Sequence, residues 1–390
     1  MEIKNQDFLK KENLRLVLKM ISDDGPISRA EIAKKMKMSP TSASRIVALL
    51  NRINLIEEVS INQRNVGRKA NYFALNKNGI YFIGIELDGS YFRLGLMNFN
   101  EELIYKKTID LQNSHPDIVV QKIKEEVDEL KQKFHLTNNH ILGLCVGMPG
   151  IIEPNQGIVN FSVQLQWKDY PLKDVLQEQL NIAIQVDNEL KMKALSEYKF
   201  CEDSVNHLII LGFGSGVGSA LISHGEISRG TSNFAGEIGH TIVDPNGTYC
   251  PCGNFGCLQT YIAEPFLLNE AAKIKKIDSV KELIREMENG AVWAKDLISR
   301  AIKYASIAIN NTVCSFNPDM VILSGTLIEN YPYIQEELFK EYSSEIWGPA
   351  KDSFEVKITE TKDEGVILGS AIQMKRYFME NMEFLEGEKI

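Results

Sequence analysis

Apolar and polar positions follow three different rhythms along the chain. Leu14, Val17, Leu18 and Ile21 recur at helical spacing until Gly25-Pro26, so the pattern predicts a helix that stops there. In "ISRAEIAKKMKM", Ser28 stands three residues before Glu31, and Ile32, Met36 and Met38 follow, which predicts a second helix opened by a capping box. "SPTSASRIVALLNRINLI" predicts a third, with Ser39 as N-cap and Pro40 at the first helical position, where its missing N–H costs nothing. Its buried stripe is expected at Ile46, Leu49, Leu50 and Ile53. The opposite face carries Thr41, Ser44, Arg45 and Arg52, with Ser42 beside them. "IEEVSI" and "ANYFALN" then alternate as strands around "NQRNVGRK", a hairpin wing.

From residue 80 the texture changes. "YFIGIELDGSYFRLGLMNFNEELIYKKTIDL" reads as strands with glycines between them. "DIVVQKIKEEVDELKQKF" reads as a helix with Ile118, Val119, Ile123, Val127 and Leu130 on one face. "ILGLCVGMPGII" is a buried strand ending in a turn, and "HLIILGFGSGVGSALISHGEI" begins a second set of strands. "MVILSGTLI" and "GVILGSAIQM" read as strand-to-helix turns. Because strands alternate with helices and the pattern recurs in each half, the body is expected to be two-lobed α/β. Expected boundaries are 1–79 for the N-terminal module, 80–195 for one lobe joined by a C-terminal helix at about 366–383, and 196–365 for the other lobe.

Charge sharpens the reading of the first segment. Residues 1–79 hold 15 Lys+Arg and 8 Asp+Glu, a net of +7, while the remaining 28 and 44 give −16, and together −9. A basic module on an acidic body fits binding to a polyanion. Two helices joined by a short turn, the second polar at its start, form a helix-turn-helix, and the hairpin makes it a winged one. Thr41, Ser42, Ser44, Arg45 and Arg52 are the candidates on the helix, and Arg64, Arg68 and Lys69 on the wing, for contact with double-stranded DNA. No apolar run approaches signal-peptide or bilayer-spanning length, so a cytoplasmic protein is expected.

The cysteines carry the chemistry. In "GEIGHTIVDPNGTYCPCGNFGC", His240, Cys250, Cys252 and Cys257 crowd into one segment. One imidazole and three thiols suit tetrahedral zinc. A redox pair or buried free thiols are the alternatives, and the single residue between Cys250 and Cys252 disfavours a thioredoxin-type pair.

"IGIELDGS", "GLCVGMPGII", "LGFGSGVGSALI", "GEIGH" and "CPCGNFGC" occur in the order found in the ROK family of repressors, open reading frames and kinases, and with the N-terminal module the chain resembles its repressor branch. The resemblance implies an actin-like, sugar-kinase-type (ribonuclease H-like) body and a structural zinc ion on His240, Cys250, Cys252 and Cys257. It also implies a sugar pocket built from Gln164, Asn188, Glu189, Glu237, His240 and Gln259, with Gln at 164 and 259 where relatives have Asn and Glu. Two departures touch catalysis. Where kinase relatives read D-x-G-G-T, this chain has Glu86-Leu87-Asp88-Gly89-Ser90, putting a carboxylate where a phosphate should be met. Where they read Asn-Asp, it has Asn188-Glu189, displacing the base that would activate a sugar hydroxyl. "GFGSGVG" at 212–218 reads as a tight strand connection rather than a phosphate cradle.

The expectation is therefore a homodimeric, zinc-containing repressor of a carbohydrate operon and not an enzyme. Its winged helix would bind an operator, and a sugar in the cleft of the body would relieve that binding. A sugar kinase retaining a DNA-binding domain and a ligand-independent regulator are the rivals.

Overall fold

The computed structural model describes residues 6–60, 71–202 and 204–381. The chain divides into two compact units, Met1–Asp187 with Ser370–Ile390, and Asn188–Gly369.

The first unit opens with α1 (Gln6–Asp24), β1 (Ile27–Ser28), α2 (Arg29–Lys35), α3 (Pro40–Arg52), β2 (Ile56–Val59) and β3 (Tyr72–Leu75). The strands pair in the order β1-β3-β2, with Ile56 opposite Leu75. Leu14, Val17, Leu18 and Ile21 are all buried, as their spacing demands. The capping box of α2 is complete: Glu31 N–H donates to Ser28 Oγ at 3.3 Å, and Ser28 N–H donates to Glu31 Oε2 at 2.9 Å. The buried stripe of α3 is turned from the expected one. It runs through Ala43, Val47, Leu50 and Ile53, with Ile46 and Leu49 half-buried at its margin. Small Ala43 lets the helix approach its neighbours closely, a contact that a search for large apolar residues overlooks.

β4 (Tyr81–Leu87), β5 (Tyr91–Asn98), β6 (Leu103–Asp110), α4 (Pro116–Phe134), β7 (Ile141–Met148), β8 (Ile151–Glu153), β9 (Ile158–Ser162), β10 (Trp167–Tyr170), α5 (Leu172–Leu180) and β11 (Ile184–Asn188) follow. A five-stranded sheet has the order β11-β7-β4-β5-β6, and β8, β9 and β10 form a separate meander. α4 buries Val119, Val120, Ile123, Val127 and Leu130 against this sheet, whereas Ile118 is 47% exposed. The 3.6-residue period centres the stripe on 119–123–127–130 and swings Ile118 outward.

The second unit contains α6 (Glu189–Lys199), β12 (His207–Phe213), β13 (Val217–Ser223), β14 (Glu226–Ile227), α7 (Gln259–Ile262), α8 (Glu264–Ala272), α9 (Val280–Glu288), α10 (Val292–Phe316), β15 (Met320–Ser324), α11 (Thr326–Glu329), α12 (Pro332–Glu345), β16 (Glu355–Ile358) and the start of α13 (Gly365–Glu380). Its sheet order is β14-β13-β12-β15-β16. Antiparallel pairing in β12–β13 with parallel pairing in β12–β15 repeats the β4–β5 and β4–β7 pattern of the first unit. The recurrence expected from sequence is present.

The C-terminal helix expected at about 366–383 is α13, and it takes in "GVILGSAIQM", which is helical throughout rather than a strand-to-helix turn. Its glycines serve approach, not turning: a Cβ on Gly369 would lie 1.7 Å from the Met192 carbonyl oxygen of α6. In the first unit the far end of α13 meets α1, where Arg15 Nε donates to the Met379 carbonyl at 2.6 Å.

Candidate functional site

The N-terminus of α3 is held by Ser39, whose Oγ accepts from Ser42 N–H at 3.1 Å and lies 2.8 Å from Ser42 Oγ. Ser42 is thus engaged in the cap, while Thr41, Ser44, Arg45 and Arg52 are exposed on the outward face. Arg64, Arg68 and Lys69 lie outside the described residues.

His240, Cys250, Cys252 and Cys257 come together, their ligand atoms all within 4.8 Å of one another. The turn that delivers His240 is a one-turn 3₁₀ helix, Ile238–His240, preceded by Glu237. "GEIGH" needs its two glycines because the segment lies directly on β13. A Cβ on Gly236 would sit 2.0 Å from the Ser219 carbonyl oxygen, and one on Gly239 would sit 2.2 Å from that of Val217. The cysteines ride on a knuckle in which Cys250 N–H donates to the Asn254 carbonyl and Gly253 N–H donates to the Cys250 carbonyl.

The spacing fits a tetrahedral ion. Cys252 Sγ and Cys257 Sγ are 3.6 Å apart, and Cys250 Sγ is 3.9 Å from His240 Nδ1. A Zn–S bond of about 2.3 Å gives a tetrahedron edge of about 3.8 Å, whereas a disulfide needs about 2.05 Å. Donor chemistry agrees. The Asn254 backbone N–H brings the Cys252 thiol down to about 6. Burial first, then the adjacent Cys252 and Cys250 sulfurs, push Cys257 up to about 12. Thiolates this close repel unless a cation lies among them. Apolar burial contributes little to holding the loop, since Ile242, Tyr249 and Phe255 are all more than half exposed. These four residues could hold a metal ion.

Gln259 stands behind this cluster, its Nε2 donating to Cys250 Sγ at 3.1 Å. Asn188 caps α6, its Oδ1 accepting from the N–H groups of Leu190 at 3.0 Å and Lys191 at 3.3 Å, and Glu189 follows in the first turn. Lys191 ties this end of α6 to the segment leading to Glu237. It is only 4% exposed, and its Nζ donates to both the carbonyl and Oδ1 of Asn233 at 2.7 Å. Motif reading passed over Lys191, because burial, which makes a lysine unusual, is not written in the sequence. Of the expected sugar residues, Asn188, Glu189, Glu237, His240 and Gln259 belong to the second unit and Gln164 to the first. Gln164 is exposed and its carbonyl lies against Gly89.

The β4–β5 turn satisfies itself. Asp88 Oδ1 accepts from Ser90 N–H at 3.2 Å and from its hydroxyl at 3.3 Å. Glu86 Oε2 pairs with Arg93 Nη1 at 2.7 Å. A phosphate arriving here meets a carboxylate-closed turn rather than a row of N–H groups. At the other glycine turn, Gly214 N–H donates to the Gly216 carbonyl at 3.0 Å, a tight strand connection. Beside it, the Glu264 carboxylate accepts from the Thr326 hydroxyl, adding a second acid.

A winged helix-turn-helix DNA-binding model matches residues 10–57. The chain is 28% identical to the xylose repressor of Bacillus spizizenii (strain ATCC 23059 / NRRL B-14472 / W23), covering 97% of this chain and 99% of that protein. It is 26% identical to the DNA-binding transcriptional dual regulator NagC of Escherichia coli (strain K12), covering 84% of each. Among solved structures, a ROK family transcriptional regulator homologous to the E. coli MLC protein superposes with a TM-score of 0.79 at 23% identity, over 97% of this chain and 100% of that one. The ROK hexokinase of Thermus thermophilus gives 0.69 at 21% identity, over 77% and 100%. The ROK family model matches residues 82–377, and the chain belongs to the ROK family.

Proposed function

We propose that this protein is a sugar-responsive transcriptional repressor of a carbohydrate-utilisation operon, acting as a homodimer in the cytoplasm. One observation carries the reading: an exposed polar and cationic helix face in a winged helix-turn-helix shares a chain with a ROK body whose phosphate turn is closed by Asp88. The winged helix binds operator DNA, and two copies read two half-sites related by the protein's two-fold axis. The hydrogen-bonding groups of Asn188, Glu189, Glu237, His240 and Gln259 suit a polyhydroxylated ligand. Sugar weakens operator binding to the extent that it binds the non-DNA-binding state more tightly.

A zinc ion on His240, Cys250, Cys252 and Cys257 supports the same reading as a structural element. When bound, it fixes the loop that carries His240, three residues from Glu237, and supplies no catalysis. Gln259, donating to Cys250 Sγ, steadies the thiolate from outside the ligand set.

Fluorescence anisotropy of the dimer on labelled operator, titrated with xylose, N-acetylglucosamine and their phosphates, tests the proposal. One of these should release the DNA, and Glu237→Gln should abolish release while leaving sugar-free DNA binding intact. Release by no sugar favours a ligand-independent regulator. Sugar-dependent ATP turnover at about 1 s⁻¹ or faster, within the range of ordinary enzymes, favours the kinase.

A further inference from the structure

The outward stripe of α3 contains one residue that its polar reading leaves out. Thr41, Arg45, Ala48 and Arg52 fall within an arc of about 60° on the helix, at about 100° per residue, and all four are exposed. Ala43, Val47 and Leu50, on the other side, are buried. A lone exposed alanine is ordinary on a protein surface. Ala48 differs in position: it lies mid-stripe between two arginines, on the helix that a winged helix-turn-helix presents to the major groove. Its side chain is a single methyl group, so the helix can come closest to a facing surface at this point, while the longer arginines reach past it on either side. Burying it in the fold would bury Arg45 and Arg52 as well, so the matching surface is an anionic one with an apolar spot. The major-groove edge of a thymine, whose C5-methyl projects among acceptors and phosphates, is such a surface.

We propose that the Ala48 methyl reads a thymine C5-methyl in the operator while Arg45 holds a guanine through O6 and N7. The inference rests on the DNA-binding reading above. Arg45 and Ala48 are separated by about 4.5 Å along the helix axis, and base pairs by about 3.4 Å. The thymine therefore lies one or two base pairs from the guanine.

The test starts with selection of binding sites from random duplex DNA by the full-length protein. Each thymine of the selected site is then replaced by uracil, which removes only the methyl group, and affinity is measured at constant salt. One thymine per half-site should lose about four-fold on replacement, the worth of one buried methyl group. Ala48→Gly, which removes the facing methyl, should erase that sensitivity at the same position. A glycine also loosens the helix, but this weakens binding to thymine and uracil duplexes alike and leaves their ratio unmoved. Arg45→Ala should relax the choice of guanine one or two base pairs away. Equal tolerance of uracil at every position by the unaltered protein, or unchanged uracil sensitivity in Ala48→Gly, overturns the proposal and leaves DNA binding standing. Failure of the unaltered protein to bind any duplex overturns both.

Discussion

Replacing Cys257 by Ser tests the metal cluster most directly. Cys257 is fully buried and its sulfur is 3.6 Å from that of Cys252, so a serine fits the space without a steric clash but is a poor zinc ligand. Structural zinc sites bind with about 10–16 kcal/mol. Taking the weak end, a dissociation constant near 5 × 10⁻⁸ M, about 5 μM free zinc is about 100 times the constant and stabilises the folded state by about 2.7 kcal/mol. Such a difference moves the melting temperature of a 150–250-residue unit by about 5–11 °C. Protein purified without chelators should contain one zinc per chain by elemental analysis, and Cys257→Ser close to none. The variant should melt about 5–11 °C lower at that zinc level, about as far as chelation lowers the unaltered protein, and chelator should move the variant no further. Absence of metal from the unaltered protein, with no rise in melting temperature on adding zinc, would refute the reasoning. So would a variant that chelator still destabilises to the full extent.

Other consequences can be checked in the same protein. Ser28→Ala removes the N-cap of α2, whose Oγ accepts from Glu31 N–H at 3.3 Å, and should cost about 1 kcal/mol in urea unfolding; no change would mean that the box is ornamental. Burial tends to raise the Glu329 carboxyl, but the Lys193 ammonium, the Gly325 N–H and the Ser324 hydroxyl together hold it below its ordinary 4.5. A depressed carboxyl stabilises the fold above its ordinary value and loses that contribution as pH falls through the folded one. Urea midpoints should therefore drop below about pH 4.5, and Glu329→Gln should flatten the decline. Arg15→Ala breaks the bond to the Met379 carbonyl and should speed amide exchange in the last turn of α13 by about ten-fold, a loss of about 1.4 kcal/mol in local opening. Unchanged exchange there would remove α1 as a brace for that helix.

Much of the site could be read from sequence because its determinants are local. The capping box at Ser28 and Glu31, the Ser39–Pro40 helix start and the His240–Cys257 spacing each depend on residues within a few turns of chain. The same holds for the Asp88–Ser90 closure of the first turn. Where the reading slipped, a distant partner decided. Ile118 and Val119 are equally apolar, yet the sheet under α4 buries one and leaves the other 47% exposed. Gly365 and Gly369 have the composition of a turn, yet both lie in a helix, where Gly369 leaves room for the Met192 carbonyl.

The amino-acid order alone therefore determined the module order, the helix starts, the four clustered metal-type donors and the Asp88–Ser90 closure of the β4–β5 turn, since each follows from short-range backbone hydrogen bonding or side-chain type. Tertiary structure decided that Ala43 and Val47 line the buried stripe of α3 and why "GEIGH" carries glycines. It also decided that Lys191 lies buried against Asn233 and that Gln259 points its amide at Cys250. These depend on which surfaces meet, and residues 42 positions apart, as Lys191 and Asn233 are, come into contact only when burial of apolar faces has folded the chain around them.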